Sequence, residues 1–263
     1  FIQSGTGAVE RTAQSKLREI EVSAKDFGLV GDGVANDQTA MDALMYSTHK
    51  KIRFPAGIYR AYLNNTVSGR TIIFDEGAII DGTVHIAVGT GPDTHAVPSI
   101  TWVDDTRVIG TVTSTVRVGS FYCRGLNIDK IVITEVNAAY ANQTVEGGTN
   151  GVHFYCGSKD IEIGEIICKS ATDGAYAVGI DRGTTNDADH WPENIHIGRI
   201  IVRDNTQSVL STNSTVNLTI DEIIADSWDT YGAFGLTDDT NLRIGKIKAA
   251  GSPATAGRDG IYV

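Results

Sequence analysis

Leu126-Asn-Ile-Asp-Lys-Ile-Val-Ile133 returns four times along the chain, as Ile161-Glu-Ile-Gly-Glu-Ile-Ile-Cys168, Ile195-His-Ile-Gly-Arg-Ile-Ile-Val202, Leu218-Thr-Ile-Asp-Glu-Ile-Ile-Ala225 and Leu242-Arg-Ile-Gly-Lys-Ile-Lys-Ala249. The first position is Leu or Ile, the third and sixth are always Ile, the fourth is Gly or Asp, and the eighth is apolar. Alternation at positions one and three is the signature of a strand with one buried face. Gly or Asp at position four permits a bend, after which the buried phase resumes at six and eight. Each copy therefore predicts two short strands meeting at a corner. The starts at 126, 161, 195, 218 and 242 leave intervals of uneven length. A stacked coil accepts such variation, because insertions point outward and leave neighbour contacts intact.

Short apolar runs lie between the copies: Gly151–Cys156, Tyr176–Ile180, Gly232–Leu236 and Gly260–Val263. Each predicts a further wall of the same coil. A doubly wound α/β fold would instead need helices of about 10–15 residues between strands, and the intervals carry Gly, Asn, Asp and Thr. Position five reads Lys130, Glu165, Arg199, Glu222, Lys246. If the copies stack as parallel neighbours about 4.8 Å apart, these side chains form an outward ladder of alternating sign. The fold class predicted is all-β, a single-stranded parallel β-helix, with right-handed crossovers as the general expectation for parallel strands.

Composition narrows the function. The 41% hydrophobic content suffices for a large core, and 29 Gly against 5 Pro suits many tight turns. A formal charge of −10 argues against nucleic acid and against anionic lipid, both of which need a basic surface. No stretch approaches the roughly 20 apolar residues of a membrane span, so no membrane insertion is expected. Cys123, Cys156 and Cys168 are odd in number and form no CxxC pair, which predicts three reduced core thiols; secretion through an oxidising compartment is not implied.

In the amino-terminal third, Val9, Ala13, Leu17 and Ile20 share one helical face. A second helix is expected from Asn36 or Asp37, either of which can cap it, to about Thr48. Gly31-Asp-Gly33 lacks the Gly-Lys-Ser/Thr of a phosphate loop and the terminal Glu of a calcium loop, so a turn-and-cap role is expected. The block Asp26-Phe-Gly-Leu-Val-Gly-Asp-Gly-Val-Ala-Asn-Asp37, followed by Ala40–Leu44 and Phe54-Pro-Ala-Gly-Ile-Tyr59, closely resembles the opening of pectate-lyase-like β-helix proteins. Ala13-Gln-Ser-Lys-Leu-Arg18 with the downstream Lys25-Asp-Phe-Gly28 resembles the junction of bacteriophage tailspikes and capsule depolymerases. The resemblance covers residues 1–60. It implies a right-handed β-helix with an end-capping helix, a homotrimer in a virion tail among other tail proteins, and a capsular or O-antigen polysaccharide as partner, either cleaved or merely bound by an adhesin. The organisation expected is a helical neck at 1–22, a cap at 23–50 and a β-helix from 51 to 263 that continues beyond Val263, since an uncapped solenoid end exposes its core.

A solenoid aligns equivalent corners, so chemistry should recur once per coil. Asp173, Asp204, Asp229 and Asp259 follow successive motifs. Glycosidases need carboxyl pairs about 5–5.5 Å or 6.5–9.5 Å apart, which adjacent or alternate coils can supply. Asp173, Asp204 and Asp229 are thus the candidate catalytic acids, although Asp is also an ordinary turn residue. Trp228 and Tyr231 offer flat faces to sugar rings, and the long insertion 181–193 adds Asp189 and Trp191 as glycan contacts. His190 and His196 lack a recognised metal spacing, so no metal and no cofactor is expected. His85, His95 and His153 read as structural residues.

Overall fold

The computed structural model describes residues 21–89, 100–134, 151–169, 176–182, 190–203, 209–226, 234–249 and 261–262. The expected helix at 7–20 lies outside them. The described strands form two parallel sheets, one of thirteen strands and one of eight, wound as the walls of an all-β parallel β-helix.

The motif copies stack in the broad sheet in chain order: Cys123–Ile133 on Lys159–Lys169, Glu193–Arg203, Val216–Ala225 and Arg243–Ala249. Register is strict. Ile128 faces Ile163, then Ile197, Ile220 and Ile244, and the first four are at most 1% exposed. The charged ladder also forms: Lys130 Nζ lies 2.7 Å from Glu165, and Arg199 reaches Glu165 at 3.6 Å and Glu222 at 3.0 Å. Glu222 also meets Lys246 at 3.7 Å and Lys248 at 2.8 Å.

The corner inside each copy differs from expectation. In the early coils the two walls are separate strands, Lys51–Phe54 with Gly57–Arg60 and Thr71–Phe74 with Ala78–Ile80. From Arg107–Ser114 onward they merge into one long strand, which pairs with both Thr71–Phe74 and Ala78–Ile80. The bend survives as two consecutive outward residues at positions four and five. A Cβ at Gly164 would sit 2.4 Å from Asp129 O, and one at Gly198 would sit 2.6 Å from Gly164 O, so the coils touch closely there.

The turn entering each motif is built from residues in the left-handed region: Gly125, Asp160, Asn194, Asn217 and Asn241, with φ of 68°, 55°, 55°, 56° and 57°. Asn and Asp accept this conformation better than other side chains. Asn194 donates to Asp160, Asn217 to Asn194 and Asn241 to Asn217, each at 2.9 Å. The chain of amides ties four successive coils together.

The eight strands of the narrow sheet include Thr83–Val88, Arg117–Phe121, Val152–Tyr155, Val178–Asp181, Leu210–Asn213 and Phe234–Thr237. Leu210–Asn213 is a wall that the apolar pattern alone does not reveal, because Ser211, Thr212 and Asn213 follow its single Leu. Cys123 and Cys168 are buried within the main core, as expected, with burial pushing their thiols up to about 11 and about 12. Cys156 is a buried free thiol too, but it belongs to a smaller cluster with Tyr122 and Tyr155 outside that core.

A reciprocal cap opens the amino-terminal block. Ser23 Oγ accepts from Lys25 N at 3.2 Å, Asp26 accepts from Ser23 N at 2.9 Å, and the turn closes on Gly28 at φ 89°. The cap helix is Gln38–Met45, shorter than expected. Asp37 stands at its N-cap without capping it: the carboxylate instead accepts from Val30 N at 2.6 Å and Gly31 N at 3.1 Å, pinning the preceding loop. Asn36 Oδ1 takes the Gln38 N–H at 3.0 Å. Asp32 Oδ1 accepts from Val34 N and Ala35 N, both at 2.8 Å, the turn role expected for this loop. Arg70, fully buried, closes the helix's other end by donating to Met45 O, Ser47 O and His49 O.

Candidate functional site

Along each strand of the narrow sheet, alternate side chains enter the main core: Val118, Val152, Val178, Leu210 and Phe234 do so in register. The next residue of each strand therefore faces outward. Read across the coils, that outward row is His85, Gly119, His153, Gly179, Ser211, Gly235. The outward row two residues later is Phe121, Tyr155, Asp181, Asn213, Thr237. Glycine on alternate coils makes room for its neighbours. A Cβ on Gly119 would come within 2.9 Å of His153 O and 3.8 Å of the His85 ring, and one on Gly235 would meet the Tyr176 ring at 3.9 Å.

The two rows join in a pair of opposite chemistry. His153 Nε2 lies 2.9 Å from Asp181 Oδ2. The imidazole is 1% exposed, whereas the carboxylate is 28% exposed. His153 Nδ1 has no hydrogen-bond partner. The tautomer that leaves a lone pair there, with the proton on Nε2 donated to Asp181, avoids a buried orphan donor. His85 packs edge-on against Phe121 at 4.9 Å, and burial, with smaller contributions from Arg117 and His153, lowers its pKa to about 4. It is neutral at physiological pH.

Aromatic rings extend the face. Phe121 meets Tyr155 at 6.3 Å, His153 tilts on Tyr155 at 5.0 Å, and Tyr122 meets both Trp102 at 6.1 Å and His190 at 5.9 Å. Arg124 stacks over Trp102 at 4.8 Å while its guanidinium holds Asp104 at 2.8 Å. Trp191 is half-buried, and its indole Nε1 is a buried donor without an acceptor, which costs about 1–3 kcal/mol unless something fills the role. Tyr122 and Tyr155 are buried in the smaller cluster, while Phe121 and Trp102 are part-exposed; a part-exposed carboxylate held by a buried imidazole, an amide on the next coil and those two part-exposed rings are groups of the kind that bind hydroxyls and flat apolar sugar faces.

Comparison with protein-family models finds no match, and comparison with curated proteins finds none. Solved structures do resemble the chain. A protein from Parabacteroides merdae proposed to be a glycosyl hydrolase is 13% identical, with a TM-score of 0.48, over 88% of this chain and 96% of its own. The A-module of mannuronan C-5 epimerase AlgE6 from Azotobacter vinelandii is 14% identical, TM-score 0.39, over 91% and 88%. ORF18 of Geobacillus virus E2 is 13% identical, TM-score 0.36, over 95% of this chain and 68% of that one. The likeness is one of fold.

Of the residues expected from sequence, Trp191 lies on described backbone. Asp173, Asp204, Asp229, Trp228, Tyr231 and Asp189 lie outside the described residues, as do His95 and Asp259. By chain position, Asp173, Asp204 and Asp229 fall between strands of the broad sheet ending at 169, 203 and 225 and strands of the narrow sheet beginning at 178, 210 and 234. His153, read as a structural residue, is buried and pairs with Asp181, which the sequence did not single out. Aligning the narrow-sheet runs Val152–Tyr155, Val178–Asp181 and Leu210–Asn213 brings the two into adjacent columns of neighbouring coils; that alignment is the signal that could have found them. His196, on the outer face of the broad sheet, bridges two carboxylates, with Nδ1 2.7 Å from Glu162 and Nε2 3.1 Å from Asp221. Among the described residues no cluster of three or more His, Cys, Asp or Glu is arranged to hold a metal ion, and no helix is long and apolar enough to cross a membrane.

Proposed function

We propose that this chain is part of a phage tailspike-like protein, carried in the virion tail as a homotrimer beside other tail proteins, and that it binds a bacterial capsular or O-antigen polysaccharide along the outer face of its narrow sheet. The observation that carries this reading is the His153–Asp181 pair at 2.9 Å, set between a row of aromatic rings and Asn213. The resemblance of residues 1–60 to the tailspike opening supports the phage setting. Parallel coils repeat the outward rows about every 4.8 Å, which suits an extended repeating ligand better than a compact one.

Cleavage of the bound chain is the second reading. Its support is the recurrence of Asp173, Asp204 and Asp229 in the connections that lead onto this face. One acid would protonate the leaving oxygen, and the other would attack or activate water. Asp181 is the single carboxylate of its own row among the described residues, and in this reading a second acid comes from those connections.

Binding to an array of purified capsular and O-antigen polysaccharides tests the proposal. We expect retention of at least one polysaccharide, and at least tenfold weaker retention by Asp181→Asn with an unchanged melting temperature. Retention of none, or an unaltered Asp181→Asn, refutes it. New reducing ends released by the wild type and not by Asp173→Asn, Asp204→Asn or Asp229→Asn distinguish cleavage from binding alone.

A further inference from the structure

Away from the narrow sheet, a cavity of about 440 Å³ opens where the cap meets the first coils. Asn36 and Gln38 line it from the cap, Arg60, Ala61 and Tyr62 from the end of one wall, and Asp81 and Gly82 from the equivalent turn one coil on. The volume falls in the roughly 300–1,000 Å³ range of small-molecule sites.

Its polar groups are ordered by contacts behind them. Gln38 is fixed by accepting from Tyr62 N at 2.7 Å and donating to Asp42 at 2.8 Å. Arg60 donates to Val34 O at 3.2 Å and stands 3.5 Å from Asp81, while Asp81 accepts from Thr115 Oγ1 at 2.8 Å. These contacts use few of the five donors of a guanidinium or the roughly four lone-pair positions of a carboxylate. Both side chains are part-exposed, at 49% and 33%. The floor is tight, since a Cβ on Gly82 would lie 2.3 Å from Ala61 O.

The charges decide the ligand class. Arg60 and Asp81 face one another, so a phosphate or carboxylate would meet Asp81 and a cation would meet Arg60. A neutral vicinal diol suffers neither conflict: one hydroxyl donates to the carboxylate while the other accepts from the guanidinium. We infer that this cavity is a second saccharide site, binding the vicinal hydroxyls of a neutral pyranose laid across the Arg60–Asp81 pair. It shares no residue with the narrow-sheet face and stands or falls separately from it.

Saturation-transfer NMR on the full 263-residue chain, with methyl glycosides of glucose, galactose, mannose and rhamnose and with glycerol as the acyclic control, provides the test. We expect transfer to at least one glycoside and little to glycerol. Arg60→Gln and Asp81→Asn should each weaken binding at least tenfold, and His196→Asn, on the outer face of the broad sheet, should leave it unchanged. Asp81→Asn is near-isosteric, Arg60→Gln shortens a part-exposed side chain while keeping it polar, and the melting curves of both verify folding. No transfer to any glycoside, glycerol competing equally, or wild-type binding by both folded pocket variants would overturn the site. Loss of glycoside binding in Asp181→Asn alone would assign the signal to the narrow sheet and also overturn it.

Discussion

At the scale of single residues, burial and pairing set what each group can do. His196 is held by Glu162 and Asp221; burial of the ring opposes its charge, but the two hydrogen bonds to carboxylates prevail and its pKa is raised. Because the folded value exceeds the unfolded one near 6.5, its stabilising contribution is complete below about that pH and is lost as pH climbs through the folded value. The side chain is 39% exposed, so solvent screening keeps the effect to less than about 1 kcal/mol. Melting curves of the wild type and His196→Asn from pH 5 to 9 should converge at the alkaline end; a gap that widens with pH would contradict the assignment. Arg70 presents the opposite case. It is fully buried, and desolvation brings its pKa down only to about 10, so it stays charged at neutral pH while serving three carbonyls and Asn65. Arg70→Met removes the donor shared by the three carbonyls, while Asn65 Oδ1 still accepts from Val67 N at 3.2 Å, and should cost about 2–4 kcal/mol in urea unfolding. Such residues are poorly legible in sequence. Arg70 sits in an unremarkable Ser-Gly-Arg-Thr stretch, and its partners are brought to it by the coil. Asp37 was legible as a polar residue before a helix, yet its two acceptor bonds go to the loop, because Val30 and Gly31 approach it only in the folded cap.

At the scale of elements, the turn and the strand are held by different forces. The Asp160–Asn194–Asn217–Asn241 ladder combines left-handed backbone with side-chain amide bonds between coils. Asn217→Ala loses both amide bonds and keeps the unfavourable φ, and should cost about 2 kcal/mol; Asn217→Gly relieves the φ and should cost less. Equal losses in the two variants would mean that backbone conformation contributes nothing there. The recurrence of Asp or Asn just before all four of the later motif copies is visible in the sequence, with Gly125 before the first. What is not visible is that those side chains bond to each other, since the intervals separating them are unequal and only stacking aligns them. Similarly, position four signalled a bend correctly, but whether two walls are separate strands or one bent strand depends on neighbour pairing. In the first of the early coils Phe54 and Gly57 are parted by Pro55-Ala56, which removes a backbone donor and ends the strand; in the next, Phe74 and Ala78 are parted by Asp75-Glu76-Gly77, with Gly77 at φ 84°, and in the later copies the pairing runs through.

At the scale of the molecule, each coil contacts its neighbours and little else, so damage should spread only locally. Ile197 is fully buried in the middle of the isoleucine column. Ile197→Ala should cost about 2–5 kcal/mol, and hydrogen exchange should show the loss of protection centred on 161–168 and 218–225 while Ile52–Phe54 and Ile72–Phe74 remain protected. Uniform loss across all coils would mean that the solenoid unfolds as one unit. The period-two pattern, the fixed Gly or Asp and the alternating charges were sufficient by themselves to determine a stacked parallel coil, because the burial of a strand face and the sign of an outward charge depend on local sequence and on the identical neighbour above. The pairing of His153 with Asp181, the meeting of Arg60 with Asp81 and the donors that close the cap helix were decided by tertiary structure alone. They join residues on different coils, and the distance between such residues is set by the number of residues in the intervening loops only after the walls have locked into register.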